Sequence, residues 1–403
     1  MSGKNKYHKI LLRDLRTVKD GKVISYNIGT AAHAPAMLSV LQKYLPEAKV
    51  TVWADAPLAQ GLARMMRKRF PDVTIVHGSL NGEGKASTQE LADMIRWGDL
   101  FLVGSGSGIA GSVLKDLRNF LKTTGKPYAA FAIGYNADLL PDYNKSVFIK
   151  FRDGTALKQA KQKRISCCTG YAPDAVFMFD CADEKAGDAF LKKNDLKAGD
   201  FICCVPGFRS TPRWEFFNTP CDPVKKAVNE EMEEHDHEPL RNTICEVVLK
   251  TGMKVLICAE QIPEMDLARR AIFYKLPENV RRKCVLLEDF WMPDLALSVY
   301  KRSCCVFGIE MHSQVMALGN GIPAVICRHN GFGSKSDMWK DVGVGGWLLE
   351  VDSPEYRDKV AATVLEIITN FVRAKEQTEA ARQRIDRLFR EAISDSFVKQ
   401  PKC

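Results

Sequence analysis

The sequence predicts an α/β fold made of two Rossmann-like domains, each built on a parallel sheet. Three observations support this prediction. The chain has 403 residues, which is more than one hydrophobic core usually serves. Short apolar runs alternate with amphipathic helical stretches, which is the pattern of βαβ units. A polar, charged stretch at residues 181–198 separates two such series, and the linker is therefore predicted there.

The first series begins with a strand predicted at residues 23–26 and a helix at 36–45. The strands predicted to follow lie at residues 49–53, 73–76, 100–103, 129–133 and 147–151, and the pattern continues to 175–179. The second series has predicted strands at residues 201–205, 255–258, 285–287, 304–307 and 324–327.

The predicted domains follow from these two series. The N-terminal domain is expected to span residues 1–185 and the C-terminal domain residues 186–354. Residues 355–394 show one long amphipathic pattern rich in Arg, Lys and Glu. The segment 355–403 is therefore predicted to be a C-terminal helix that packs back across the domain junction.

Composition excludes several classes of function. Much of the formal charge of +9 comes from scattered residues and from the first 22 positions. No basic stripe is interleaved with aromatic residues, so nucleic acid is not the expected partner. An anionic substrate fits the charge better, with peripheral contact to an anionic membrane as an alternative. No apolar run approaches the roughly 20 residues of a membrane span, and no secretory signal is predicted. The oligomeric state stays open.

The cysteines predict a reducing compartment. There are thirteen of them, an odd number, and no CxxC spacing occurs. The adjacent pairs Cys167–Cys168, Cys203–Cys204 and Cys304–Cys305 lie in apolar, strand-like runs. Adjacent cysteines rarely bond to each other, so we interpret them as buried, reduced thiols and expect a cytoplasmic protein.

A glycine-rich turn follows the predicted strand at residues 100–103. A strand, such a turn and a helix together bring backbone N–H groups to one point, which suits an anion. Gly106, Gly108 and Gly111 satisfy the spacing GxGxxG, but the next strand ends in Gly134-Tyr135-Asn136 without the acidic residue that dinucleotide binding expects. A tight turn or a different anion site is therefore favoured, and no cofactor is predicted.

A second motif follows the predicted strand at residues 304–307. It places Glu310 and His312 at the carboxyl end of a parallel strand, where ligands bind in open α/β sheets. A carboxylate and an imidazole two residues apart are able to act as general base and general acid. The alternative is that His312 caps the following helix or fills the junction.

Three further segments contain polar side chains of interest. The loop at residues 328–335 follows the last predicted strand, and its Arg328 and Lys335 are expected to contact phosphate. Residues 27–33 are expected to face the same cleft, and His33 either binds there or begins a helix. The run at residues 234–238, EHDHE, lies in a charged, solvated stretch, and no metal site is predicted.

These motifs together resemble the polysaccharide pyruvyl transferase family. Residues 308–313 and 317–326, GIEMHS and ALGNGIPAVI, are similar to its C-terminal hallmark. Asn27-Ile28-Gly29 resembles its N-terminal loop, and Gly104-Ser105-Gly106 resembles its glycine-rich turn. Arg152-Asp153 with residues 173–177, and the stretch Val205-Pro206-Gly207-Phe208-Arg209, complete a resemblance over roughly residues 22–350.

The resemblance implies a GT-B-like arrangement of the two domains, with an active site in the cleft between them. It implies transfer from phosphoenolpyruvate, an anionic donor, onto a glycan acceptor. In that reaction C3 of the donor is protonated, C2 becomes electrophilic, a sugar hydroxyl attacks it and phosphate leaves. His312 and Glu310 are the implied catalytic residues; the implied substrate-binding residues are Asn27, Gly29, His33, Gly104, Ser105, Gly106, Arg209, Arg328 and Lys335.

One residue departs from the family pattern. Glu310 stands where the family has an arginine, and a carboxylate repels an anionic donor. Either nearby cations (Arg213, Arg328 or Lys335) compensate, or this member uses another donor. The rival hypotheses are a nucleotide-sugar glycosyltransferase, in which Glu310 holds ribose hydroxyls, and a non-catalytic binding protein.

Overall fold

The computed structural model describes residues 6–106 and 108–398, without the side chain of Tyr356. The chain divides into two compact units. Among the described residues, the first unit comprises residues 6–25, 30–181 and 384–398, and the second comprises residues 26–29 and 182–383. Each unit contains one parallel sheet flanked by helices, as the sequence predicts.

The first unit contains a seven-stranded parallel sheet with strand order β5-β4-β1-β6-β7-β8-β9. Numbered from the central β1, this is the Rossmann order 3-2-1-4-5-6 with one strand added. The strands of this unit, including the small hairpin β2–β3, are β1 (Lys9–Arg13), β2 (Val18–Lys19), β3 (Lys22–Val23), β4 (Lys49–Ala54), β5 (Thr74–His77), β6 (Leu100–Val103), β7 (Tyr128–Ile133), β8 (Phe148–Phe151) and β9 (Cys168–Tyr171).

The second unit repeats the same order in a six-stranded parallel sheet, β12-β11-β10-β13-β14-β15. The order reverses at β10, so β11 and β13 lie on either side of it. Such a reversal leaves a crevice at the carboxyl ends of the strands. The strands are β10 (Phe201–Val205), β11 (Lys254–Ile257), β12 (Cys284–Leu286), β13 (Val306–Gly308), β14 (Ala324–Arg328) and β15 (Leu348–Glu350).

Helices connect the strands, as parallel pairing requires. Those up to residue 162 are α1 (Ile28–Tyr44), α2 (Gln60–Arg69), α3 (Gln89–Trp97), α4 (Gly111–Thr124), α5 (Leu140–Tyr143) and α6 (Gly154–Gln162). Those that follow are α7 (Glu184–Lys193), α8 (Pro223–Thr251), α9 (Glu264–Leu267), α10 (Glu278–Arg281), α11 (Pro293–Tyr300), α12 (His312–Gly319), α13 (Met338–Asp341), α14 (Pro354–Arg357), α15 (Lys359–Thr369) and α16 (Phe371–Ile393).

The predicted strand at residues 23–26 is wrong. Only Lys22 and Val23 pair there, in the small hairpin, and α1 begins at Ile28. The central strand is β1, whose run Ile10-Leu11-Leu12 is fully buried. A short, continuously apolar run is typical of a parallel strand covered on both faces, and such a run lacks the alternation expected of a half-exposed strand. The segment predicted to extend the sheet at residues 175–179 is also wrong, since Ala175–Met178 is a short 3₁₀ helix.

Two polar segments contain structure that the sequence pattern does not specify. The predicted linker, at whose start the two units divide, contains α7, which Asp183 caps. Glu184 of this helix pairs with Lys301 and Arg302 of the second unit. The single helix expected at residues 355–394 is broken at Asp358 and Asn370 into α14, α15 and α16. From Arg384 onward, α16 is part of the first unit.

The burial of each cysteine pair depends on the position of its strand in the sheet. Cys203, Cys204 and Cys305 are completely buried, and burial raises the pKa of each thiol. Cys167 and Cys168 are only half-buried, because β9 lies at the edge of its sheet. The twelve described cysteines are free thiols.

Candidate active site

Three loops meet at the carboxyl edge of the second unit's sheet. They follow the adjacent strands β11, β10 and β13 and comprise residues 258–264, 206–209 and 309–312. Ligands bind at this edge in open parallel sheets. The loops carry several of the predicted site residues together with acidic residues that were not predicted.

Two glycines determine how closely the loops approach each other. Gly308 has a φ of 149°, and a Cβ at this position would overlap the carbonyl of Val205. A Cβ on Gly207 would lie 2.9 Å from Cγ2 of Ile309 and 3.3 Å from Cγ of Glu310. Because both positions lack a side chain, the loop after β13 packs directly on the end of β10. This packing fixes the backbone that carries Glu310 and His312.

His312 is held by a buried carboxylate. Its Nδ1 lies 3.0 Å from Oε1 of Glu260, while Oε2 of Glu260 accepts hydrogen bonds from the backbone N–H of Ser313 at 2.8 Å and from its hydroxyl at 3.0 Å. Burial acts to raise the pKa of Glu260, but the bonds to His312 and Ser313 outweigh it, so the pKa is lowered. Glu260 is therefore a carboxylate that only accepts. It follows that Nδ1 of His312 carries a proton and that a proton exchanged with a substrate passes through Nε2.

The segment of residues 26–29 packs against this pair. Asn27 forms a backbone bridge with Gln261, and the N–H of Ile28 donates to the carbonyl of Glu260 at 2.9 Å. A Cβ on Gly29 would overlap the ring of His312. The predicted residues Asn27 and Gly29 therefore contribute their backbone to the site.

Glu310 lies in a cluster of acidic and amide groups. It is 8% exposed, and its Oε1 accepts a hydrogen bond from Nε2 of Gln261 at 2.7 Å. The same Nε2 donates to Oε1 of Glu264 at 2.8 Å. Burial raises the pKa of Glu310, and burial together with the charge of Glu310 raises the pKa of Glu264 well above its usual range. Glu264 is accordingly the protonated partner and Glu310 the carboxylate.

The predicted cations are already engaged with carboxylates or an aromatic ring. Arg209 donates to both oxygens of Asp236 at 2.8 Å and also to Asp352. Arg328 pairs with Asp337 at 2.8 Å and with Glu350. The Nζ of Lys335 lies 4.1 Å from the ring centre of Phe332, and its charge lowers the pKa of Glu310. Of the three cations named as compensating Glu310, Lys335 is the one whose charge acts on it among the described interactions.

The first unit brings His33, Ser105 and Gly106 together around Asp174. The hydroxyl of Ser105 donates to Oδ1 of Asp174 at 3.1 Å, and Arg152 donates to Oδ2 at 3.0 Å. The Nδ1 of His33 lies 3.5 Å from Oδ1 of Asp174, and a Cβ on Gly106 would lie 3.3 Å from Nε2 of His33. Asp174 is completely buried, so this network is a fixed arrangement of charges.

The glycine-rich turn of the first unit is bound to the neighbouring strand. The N–H of Gly106 donates to the carbonyl of Ala132 at 3.2 Å, and its own carbonyl accepts from Gly134 at 3.1 Å. Gly104 lies at the end of β6, where a Cβ would lie 3.2 Å from a carboxylate oxygen of Asp14. The backbone of Gly106 is therefore used to join β6 to β7. Ser107, which the predicted segment includes, lies outside the described residues.

Sequence reasoning missed Glu260, Gln261, Glu264 and Asp174. The first three directly follow the predicted strand at residues 255–258. Glu310 and His312 were identified because polar side chains at the carboxyl end of a parallel strand often bind ligands. The same rule applies to these three residues. Asp174 lies in the stretch that resembles the family motif, but no binding role was assigned to it.

The family model for polysaccharide pyruvyl transferase matches residues 55–331, well over half of the chain. The chain belongs to the polysaccharide pyruvyl transferase family. The match includes Arg209, Glu310 and His312, together with the acidic residues after β11. This family membership makes the protein a transferase that modifies glycans.

Solved structures confirm the fold. The chain resembles a UDP-N-acetylglucosamine 2-epimerase with a TM-score of 0.58 at 11% identity, covering 97% of this chain and 96% of that one. The S. aureus MnaA–UDP structure gives a TM-score of 0.56 at 11% identity, over 96% and 95% of the two chains. The Neisseria meningitidis UDP-GlcNAc 2-epimerase bound to UDP-GlcNAc gives 0.51 at 12%, over 94% and 99%. At these identities the likeness shows the GT-B-like fold alone.

A sequence comparison with curated proteins finds no match for this chain. Among the described residues, no helix combines the length and the apolar character needed to cross a bilayer.

Proposed function

We propose that this member of the polysaccharide pyruvyl transferase family transfers pyruvate from phosphoenolpyruvate to two hydroxyl groups of a glycan, forming a ketal. The observation that supports this most strongly is the pair of His312 and Glu260, joined at 3.0 Å. A histidine whose Nδ1 is fixed by a carboxylate presents Nε2 to the substrate, and in the form that carries a proton on both ring nitrogens this atom is a proton donor. Protonation of C3 of the donor is the step that requires such an acid.

The reaction balances with this assignment. Nε2 of His312 gives a proton to C3, and C2 becomes electrophilic as C3 becomes a methyl group. One sugar hydroxyl forms a bond to C2, and a second hydroxyl then displaces phosphate from the same carbon. The acceptor loses two protons; one offsets the proton given to C3 and the other leaves with phosphate.

The donor's negative charge needs cations, and the second unit offers two of the predicted ones. Lys335 acts electrostatically on Glu310, and we assign it to the donor. Arg209 is bound to Asp236 and Asp352, so we expect the donor to compete with Asp352 for this guanidinium. We also retain Asn27, Gly29, His33, Gly104, Ser105, Gly106 and Arg328 as proposed binding residues.

Two alternatives are less well supported. A nucleotide-sugar glycosyltransferase is not favoured, because the family model that matches is that of pyruvyl transfer. A non-catalytic binding protein does not need a buried carboxylate whose hydrogen bonds fix one nitrogen of His312. We also propose a cytoplasmic location, in keeping with the buried thiols, and the domain bounds 1–185, 186–354 and 355–403.

Ligand binding and turnover test the proposal together. Thermal-shift measurements with phosphoenolpyruvate, UDP-sugars and GDP-sugars show which one stabilises the folded chain. We expect phosphoenolpyruvate to raise the melting temperature and His312→Ala to abolish phosphate release from it. His8→Ala, at an exposed histidine, is the matched control. Stabilisation by a nucleotide sugar without any by phosphoenolpyruvate would contradict the proposed donor.

A further inference from the structure

We propose that Tyr26 and Glu310 bind a hydroxyl group of the acceptor sugar, and that Glu310 removes its proton as it attacks the donor. This inference rests on the proposed function and assigns the acceptor side of the same site. It also gives a role to Glu310, the residue that departs from the family pattern.

The backbone brings Tyr26 to the acidic cluster. The carbonyl of Tyr26 accepts a hydrogen bond from the N–H of Ile262 at 3.1 Å, next to the bridge between Asn27 and Gln261. Tyr26 is 5% exposed, and its hydroxyl has no hydrogen-bond partner among the described residues. A buried phenol normally finds a partner, so this one is placed for a ligand.

The phenol remains a donor beside Glu310. Burial raises the pKa of Tyr26, and the nearby carboxylate of Glu310 raises it further, while the charge of Arg213 acts in the opposite direction. The side chain is therefore protonated and donates a hydrogen bond, while the carboxylate of Glu310 accepts one. A hydroxyl group accepts from the first and donates to the second. A phosphate or carboxylate group accepts from Tyr26 but is repelled by Glu310, so the pair selects a neutral hydroxyl.

Aromatic rings complete the subsite. The ring of Tyr26 lies 4.7 Å from that of Phe216 and 4.8 Å from that of Phe217. Both phenylalanines are half-buried and belong to the loop that precedes α8. Such a cluster offers an apolar surface beside a few oriented polar groups, which suits the C–H face of a sugar ring.

The chemistry assigns the base. As the first hydroxyl oxygen bonds to C2, its proton passes to Glu310, while His312 protonates C3. The second hydroxyl displaces phosphate, which takes up the second proton. Gln261 holds Glu310 at 2.7 Å, so the carboxylate is fixed before the acceptor arrives. Glu310 then returns its proton to the solvent, from which His312 takes up the proton that it gave to C3.

Two conservative variants test the subsite. Tyr26→Phe removes the donor, and Glu310→Gln removes the base while keeping the shape. Their matched controls are Tyr274→Phe, which is 61% exposed, and Glu278→Gln on the surface. The measurements are calorimetric binding of phosphoenolpyruvate, NMR binding of methyl galactoside, glucoside and mannoside, and the rate of phosphate release with each glycoside.

We expect Glu310→Gln to lower kcat about 10² to 10⁴-fold, the range of a lost general base. Its phosphoenolpyruvate affinity should stay equal or become tighter. We expect the wild-type rate to decline at acidic pH as Glu310 is protonated, and this decline should be absent in Glu310→Gln. Tyr26→Phe should weaken glycoside binding and raise the acceptor KM about tenfold, the effect of about 1.4 kcal/mol. Both controls should match the wild type.

Three outcomes would overturn this inference. In the first, either variant loses affinity for phosphoenolpyruvate while its kcat stays intact. In the second, the two variants behave like their controls. In the third, the wild type binds none of the glycosides. A wild type that binds a glycoside but neither binds phosphoenolpyruvate nor releases phosphate from it contradicts the proposed function instead. The donor measurement alone therefore separates the two failures.

Discussion

His312 and Glu260 form a hydrogen-bonded pair across 3.0 Å, although 52 residues separate them in the chain. Glu260 follows β11 and His312 follows β13, and β10 lies between these two strands. The pair therefore spans the position where the strand order reverses. A carboxylate that also accepts two hydrogen bonds from Ser313 fixes both the start of α12 and the tautomer of its first side chain.

Glu260→Gln should reduce turnover strongly. The amide presents its N–H₂ group to Nδ1 or to Ser313, so the tautomer of His312 is no longer enforced. We expect phosphate release from phosphoenolpyruvate to fall about 10² to 10⁴-fold, the usual contribution of a positioned acid. Steady-state kinetics with Glu278→Gln as the control check this. Full activity in Glu260→Gln would show that Nε2 of His312 is not the proton donor.

Gly29→Ala should inactivate the enzyme without unfolding it. Alanine favours the helix that contains position 29, but its methyl group overlaps the ring of His312. A displacement of about 1 Å at a reacting group costs about 10²-fold in rate. Gly346→Ala is the control, because no atom lies within 4 Å of its added Cβ. The prediction fails if kcat is retained, or if the melting temperature falls together with the activity.

Asp174→Asn should destabilise the first unit. Asp174 is the buried partner of Arg152, and removing one charge of a buried pair costs about 3–5 kcal/mol. Asp180→Asn removes an exposed carboxylate paired with Arg69, and such pairs contribute about 0–1 kcal/mol. Urea unfolding monitored by fluorescence compares the two variants. Equal losses in stability would show that the network around Asp174 is not fixed in the folded state.

His329 should make stability depend on pH. Burial lowers its pKa to about 4 from an ordinary 6.5. The unfolded chain therefore takes up this proton at a higher pH than the folded chain does, and the contribution of His329 to stability is lost as the pH falls from 6.5 to 4. We expect His329→Gln to remove about 2 kcal/mol of this decline. Unfolding of both proteins at pH 4–8 measures it, with exposed His8→Gln as the control; parallel curves for wild type and His329→Gln would contradict the assignment.

The errors in the fold prediction have local causes. The central strand β1 was missed because its sequence contains only a run of three apolar residues. A strand that is buried on both faces does not show alternating apolar and polar residues. The charged stretch at residues 181–198, where the linker is predicted, also contains helix α7. Glu184 of this helix pairs with Lys301 and Arg302, partners that the local pattern does not reveal.

The sequence by itself determined the two parallel sheets and the strand ends that carry Glu310 and His312. Hydrophobic periodicity and strand boundaries are local properties, and they can be read along the chain. Only the tertiary structure decided the partner of each group: Glu260 for His312, Gln261 for Glu310, and Asp352, 143 residues away, for Arg209. The reason is physical. A side chain at the end of a parallel strand meets residues from whichever strands lie beside it, and that order is set by how the whole sheet assembles.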